Sequence, residues 1–232
     1  MVDFVYFDVG GTLLRDEMSQ EQAFRYALDH AGFAFTQEEV CAGCQRAHEA
    51  LCRAFLERSL AEADSPRYWD HALFEALGIE TDFSLVDAML ERPLGSLSWG
   101  TVDPEGVEVL RWLRGRGVRL GVLSNWGAGL ARHLRKEGLA QYFDVILASG
   151  EVGVSKPHPD LFRTALERAG TAPERTAHVG DRVRYDAGPA RALGLIGVLI
   201  DRWGFEPPYD GPRIRRMSEL PGALGVEASR CG

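Results

Sequence analysis

Lysine is nearly missing from this chain. Of its 26 basic residues only Lys136 and Lys156 are lysines, and none occurs between residues 1 and 135. Schiff-base chemistry therefore has no amine in the first half of the protein. Cysteine is sparse too, with four in 232 residues. That number, without a secretion signal, fits a reducing cytoplasm rather than a disulfide framework. No run of apolar residues approaches the length of a membrane span. The text opens directly on a core strand, so no signal peptide is expected. Positive charge is not in excess: the net charge is −8. Nucleic acid and anionic membrane are therefore not expected partners. What remains is an apolar share of 45%, enough for an ordinary core, and a length suited to one domain with an insert or two small domains.

The first half is helical text. Ser19-Gln20-Glu21-Gln22 and Thr36-Gln37-Glu38-Glu39 have capping-box spacing, and Ser65-Pro66 reads as an N-cap with proline at the first helical position. Apolar residues recur at helical spacing at Ala23, Ala27 and Ala31, at Phe55, Leu56 and Leu60, and at Leu73 and Leu77. The pattern predicts helices over 19–31, 37–61, 66–77 and 82–91, with no strand among them.

From Asp103 the text alternates. Predicted helices at 104–115, 127–137, 159–169 and 187–193 fall between apolar runs at 118–123, 143–148, 176–179 and 196–200. With the run at 2–7, these make a doubly wound parallel sheet of the α/β class. The expected organisation is an α/β core of 1–14 and 98–232 and a helical domain of 15–97. The proline-bearing tail after Asp201 reads as surface wrapping.

The stretch Phe4-Val5-Tyr6-Phe7-Asp8-Val9-Gly10-Gly11-Thr12-Leu13 organises the rest. It is a buried strand that ends in a carboxylate, a glycine turn and a hydroxyl. The carboxyl ends of parallel strands face the ligand crevice of such a sheet. Two further strands also end in polar groups, Ser124-Asn125 and Gly180-Asp181, and Lys156 follows the third. Right-handed crossovers bring Asp8, Thr12, Ser124, Lys156, Asp181 and Asp186 to one edge. Three carboxylates there repel unless a cation sits among them, and hard oxygen ligands suit Mg²⁺. A hydroxyl, a lysine and free N–H groups suit a phosphoryl group. Together they imply phosphoryl transfer through an acyl-phosphate.

Phe7-Asp8-Val9-Gly10-Gly11-Thr12-Leu13 resembles the first motif, Asp-x-Asp-x-Thr, of the haloacid dehalogenase-like (HAD) hydrolase superfamily. Leu123-Ser124-Asn125 resembles its second motif, and Val154-Ser155-Lys156-Pro157-His158-Pro159-Asp160 its lysine motif. Val179-Gly180-Asp181, with Asp186 five residues on, resembles the fourth. The resemblance covers most of 2–201. It implies a Rossmann-like core with a helical cap over 15–97, and a cytoplasmic hydrolase that acts on a small phosphorylated metabolite. It implies Asp8 as nucleophile and Mg²⁺ ligand, with the Gly10 carbonyl, Asp181 and Asp186 completing the metal site. Thr12 and Ser124, with Gly11, would hold the phosphoryl group. Lys156 would neutralise charge, and Asn125 would fix the loop or face the substrate. A homodimer through an exposed apolar cap face is compatible with the chain.

One position departs from the pattern. Family phosphatases carry a second aspartate two residues after the nucleophile, where this chain has Gly10. That aspartate is the general acid–base, a role worth about 10²–10⁴-fold in rate. Three routes remain: substrates with good leaving groups, a cap histidine (His30, His48 or His71) in its place, or a phosphate- and Mg²⁺-binding regulatory protein with little turnover. Metal-free haloacid dehalogenases also lack this aspartate, but they have little use for clustered carboxylates. Cys41, Cys44, His48 and Cys52 fall on one face of the predicted helix over a rise of roughly 16 Å. Zinc bonds of about 2 Å cannot gather groups so spread, so these read as packing residues. Trp126 reads as either pocket lining or packing, and Arg182 and Arg184 as solvated, with either able to reach an anionic substrate.

Overall fold

The computed structural model describes residues 2–60, 64–80 and 100–226. In chain order the strands are β1 (Phe4–Phe7), β2 (Leu14–Arg15), β3 (Thr101–Val102), β4 (Arg119–Ser124), β5 (Val145–Ala148), β6 (Thr176–Gly180), β7 (Ile196–Ile200) and β8 (Arg213–Ile214). The helices are α1 (Gln20–His30), α2 (Gln37–Leu56), α3 (Ser65–Leu77), α4 (Pro104–Arg114), α5 (Leu130–Lys136), α6 (Ser149–Val152), α7 (Pro159–Ala169), α8 (Gly188–Ala192) and α9 (Leu220–Ala223). A single π-helical turn, Val183–Ala187, precedes α8.

The main sheet runs β5-β4-β1-β6-β7-β8, with every pair parallel. The doubly wound sheet expected from the strand–helix alternation is present, and β1 lies inside it. Alternation along β1 builds two cores. Val5 and Phe7 join Leu110 and Leu113 of α4 and Leu130 and Leu134 of α5 on one face. Phe4 and Tyr6 join Leu161, Phe162 and Ala165 of α7 on the other. The Tyr6 hydroxyl donates to the Ala165 carbonyl at 2.6 Å, so the ring spans that core without an unpaired polar end. Gly121 of β4 leaves the space that the Phe4 and Tyr6 rings fill.

One expectation about this unit needs correction. The tail does not merely wrap the surface. Its β8 adds a sixth strand, and Ile214, Met217 and Leu220 are buried in the core. The helix expected to begin at 187 is preceded by the π-helical turn Val183–Ala187, which carries Asp186, a form often found at functional sites.

The chain divides into two compact units, Met1–Arg15 with Val102–Gly232, and Asp16–Thr101. The second unit is the helical cap. Both capping boxes form, Ser19 with Gln22 and Thr36 with Glu39. The Gly100 N–H donates to the Asp16 carboxylate at 2.7 Å and closes the neck of the insert. Ala23, Ala27, Phe55 and Leu73 are buried as the helical spacing predicts, and Ala31, Leu60 and Leu77 are half-buried. Leu56 is not buried: it is 50% exposed, because α2 ends there and not at residue 61. Gly43 lies where α2 and α3 approach, and a Cβ there would come within 2.9 Å of Leu77. His48 is buried and accepts from the Trp69 indole at 3.1 Å, a packing role. Cys44 and Cys52 are buried as expected. The helix expected at 82–91 lies outside the described residues.

Candidate active site

β1 delivers Asp8 at its carboxyl end, and the Asp8 N–H still bonds the Val179 carbonyl of β6 at 2.8 Å. The chain then turns back on Val9, whose carbonyl accepts from Thr12 (3.3 Å) and Leu14 (2.8 Å). Gly11 makes this turn possible. Its φ is +67°, and a Cβ would collide with the Asp181 carboxylate. The neighbouring Gly10 is different: nothing lies within 4 Å of where its Cβ would be. Gly11→Ala should therefore strain the turn by about 1–2 kcal/mol and displace Asp181. A Mg²⁺ titration should show weakened binding, and unchanged affinity would mean the close approach does not matter.

The opposite edge of the site hangs on Lys156, which is 2% exposed. Its loop is bracketed by Asn125, whose amide accepts from the Lys156 N–H at 2.7 Å and donates to the Lys156 carbonyl at 2.9 Å. Asn125 thus spends its side chain on holding this loop. The Lys156–Pro157 peptide is cis. The ammonium bridges two carboxylates, Asp8 Oδ1 at 2.8 Å and Asp186 Oδ1 at 2.5 Å.

Asp186 is placed by the π-helical turn. Its Oδ2 accepts from the Arg182 N–H at 3.2 Å, and its Oδ1 also meets His178 Nε2 at 2.9 Å. Gly180 leaves room for it, since a Cβ there would overlap the Asp186 side chain. His178 is fully buried, and among the described residues its Nδ1 has no hydrogen-bond partner. The imidazole therefore carries its proton on Nε2, facing Asp186.

Burial sets the ionisation of the cluster. It raises Asp8, with Asp186 adding to the rise, while Lys156 and the Ser124 hydroxyl act against it. It also raises Asp181 well above the usual carboxylate range. Arg182 opposes that rise, and Asp8, Asp186 and Glu206 add to it. Burial works the same way on Asp186, but Lys156 and His178 outweigh it and hold that carboxyl well below its ordinary value. Lys156 is raised: burial disfavours its charge, and the two carboxylates more than compensate. Burial lowers His178.

Asp8, Asp181 and Asp186 each offer an oxygen within 4.8 Å of the others. One lysine is shared between two of them, and among the described residues the third pairs with Arg182, at 3.3 Å. This donor set is consistent with a Mg²⁺ site, and a cation there would relieve the repulsion that raises Asp8 and Asp181. Thr12 is fully buried, and its hydroxyl oxygen has no hydrogen-bond partner among the described residues.

The expected edge of strand ends is thus assembled: Asp8, Ser124, Lys156, Asp181 and Asp186 meet around one point. Three participants escaped the sequence reading. His178 sat in a strand pattern as an ordinary interior residue. Arg182, expected to be solvated, is only 16% exposed and pairs with Asp181 and with Glu206 at 3.0 Å. Glu206 also accepts from the Val183 N–H at 2.7 Å, bracing the turn that carries Asp186. Trp126 packs against the core and stacks on His133 at 5.1 Å.

The chain is 44% identical over 115 residues to a phosphoserine phosphatase of Thermus thermophilus. That stretch is 48% of this chain and 46% of that protein, so the match spans about half of its length. The crystal structure of a HAD phosphatase from Thermococcus onnurineus is similar throughout. Its TM-score is 0.59 at 26% identity, covering 98% of this chain and 99% of that one. The L-2-haloacid dehalogenase of Xanthobacter autotrophicus shares the fold, with a TM-score of 0.65 at 20% identity over 98% and 100% of the two chains. The haloacid dehalogenase-like hydrolase family matches residues 2–194. With this match, four motifs in order and their strand ends gathered on one sheet edge, the chain belongs to the haloacid dehalogenase-like hydrolases.

Proposed function

We propose that this hydrolase is a Mg²⁺-dependent phosphatase of a small phosphorylated metabolite that works through an aspartyl-phosphate on Asp8. The observation that carries this reading is the three-carboxylate cluster with Lys156 Nζ 2.8 Å from Asp8. The phosphatases among its relatives and structural neighbours support it.

Asp8, the Gly10 carbonyl, Asp181 and Asp186 would hold the metal, which supplies charge neutralisation at the phosphoryl oxygens. An Asp8 carboxylate oxygen attacks phosphorus, and the bond from phosphorus to the leaving oxygen breaks. The leaving group departs with that electron pair. Lys156 keeps Asp8 aimed and offsets negative charge as it gathers. The Thr12 hydroxyl is free to donate to the phosphoryl group, and Ser124 turns from Asp8 to the same group. Water then attacks phosphorus, releasing phosphate and the Asp8 carboxylate. Gly10 has no side chain to deliver the proton that a second aspartate would give to the leaving oxygen, so that proton comes from solvent or from another residue. Substrates with stable leaving anions suit such a site.

Gly10 also favours a second reading, a phosphate- and Mg²⁺-binding protein of low turnover. Aryl phosphate hydrolysis with and without Mg²⁺, followed by rapid quench, separates the two. Steady Mg²⁺-dependent turnover that Asp8→Asn abolishes is the expected result. A single stoichiometric burst from the native protein would favour the binding role. Undiminished turnover in Asp8→Asn would remove Asp8 from the mechanism. Metal-free dehalogenase chemistry gives the three gathered carboxylates no task.

A further inference from the structure

Beyond the motifs, one side chain reaches the Asp8 turn from the far end of the core. β7 ends at Ile200, and the next four residues form a tight turn. The Asp201 carboxylate accepts from the Gly204 N–H at 2.8 Å, and Gly204 has φ +79°. The Asp201 N–H bonds the Ile214 carbonyl at 2.8 Å, and Asp201 Oδ2 lies 3.3 Å from Arg213. This turn is pinned on both sides, and Arg202 projects from it.

The Arg202 guanidinium is committed three ways. It donates to the Thr12 carbonyl at 2.9 Å, to the Gly11 carbonyl at 3.3 Å and to Asp103 Oδ2 at 2.6 Å. Asp103 is 1% exposed; it caps α4 through the Glu105 N–H at 3.1 Å, and its own N–H bonds the Leu13 carbonyl at 2.9 Å. With the Gly11 and Thr12 carbonyls held by Arg202 and the Thr12 N–H bonded to the Val9 carbonyl, the turn is tied on both sides of Thr12. A planar fork with fixed donors suits three acceptors in this arrangement, where a single ammonium would not.

We propose that Arg202 is a positioning residue for the reaction. It locks the turn that follows Asp8 to a buried carboxylate and so holds the Thr12 hydroxyl, buried and without a hydrogen-bond partner among the described residues, where it can receive a phosphoryl group. Its effect is on the transition state more than on substrate capture, because a donor held in place beforehand counts most as the phosphoryl oxygens gain charge. This inference rests on the phosphatase reading.

The test pairs Arg202→Met with Asp103→Asn. Asparagine caps α4 as well as aspartate does, so the double variant loses the clamp without stranding a buried charge. Amide hydrogen exchange and aryl phosphate kinetics are read on the same protein. Exchange at Thr12 and Leu14 is expected to rise about tenfold or more while the amides of β4 stay protected, and kcat to fall about tenfold with KM within about twofold. Arg202→Lys is expected to fold like the native chain and still show fast exchange at Thr12. Native exchange in the double variant overturns the proposal, as does native kcat in an active protein. If the native chain has no turnover, the phosphatase reading fails; loosened exchange then still upholds the clamp.

Discussion

Gly10→Asp is expected to raise the turnover of an alkyl phosphate by about 10²–10⁴-fold, the usual contribution of a general acid–base. The substitution is sterically free. Nothing lies within 4 Å of the position a Cβ would take, and the backbone there has no positive φ to strain it. The gain should depend on the leaving group. An alkoxide needs a proton as it departs, whereas a nitrophenolate does not, so an aryl phosphate should gain far less in its first step. Measuring native and variant kcat on one substrate of each kind gives the ratio directly. Equal rates for the two proteins on the alkyl phosphate would place the proton relay at another residue.

Lys156→Met should be the most damaging substitution in the core. It leaves Asp8 and Asp186 buried side by side without their shared cation. Stranding a buried charge costs about 3–5 kcal/mol. Urea unfolding in chelator should show a loss of that order, and aryl phosphate turnover should fall at least about 100-fold. Added Mg²⁺ should restore part of the stability, since it binds the folded cluster and not the unfolded chain. An unchanged midpoint in chelator would mean the carboxylates carry no charge there. The pH dependence follows from the same pairs. Lys156 is raised, so its contribution is complete below its ordinary value of 10.5 and is lost as pH climbs through the folded value. Asp186 is lowered, so its contribution is present above 3.8 and fades as pH falls through the folded value.

The parts of this fold that the sequence revealed are those where one segment carries its own signal. The five long strands are apolar runs because both faces of a parallel sheet are covered. The motif residues were legible because strand ends in this topology face one crevice. The two-residue strands β2, β3 and β8 carry no period to detect. Asp186 fell just outside the expected helix because a single π-helical turn has no sequence signature. Arg202 was hidden for another reason: its meaning lies in acceptors 99 and 190 residues away. His178 and Glu206 likewise acquire their roles only through partners that the fold brings to them. Asn125 was seen, and the structure shows it bracketing the Lys156 loop.

The register of β1 also sets the order of events on the ribosome. Phe4 pairs with Arg119 on one side and with Thr176 on the other. At synthesis rates of about 5–20 residues per second, this apolar strand waits on the order of ten seconds for its first neighbour. The helical unit, whose contacts are short in sequence, is complete before then. Until β4 is made, the nascent chain thus carries β1 as an apolar strand with neither of its neighbours in place.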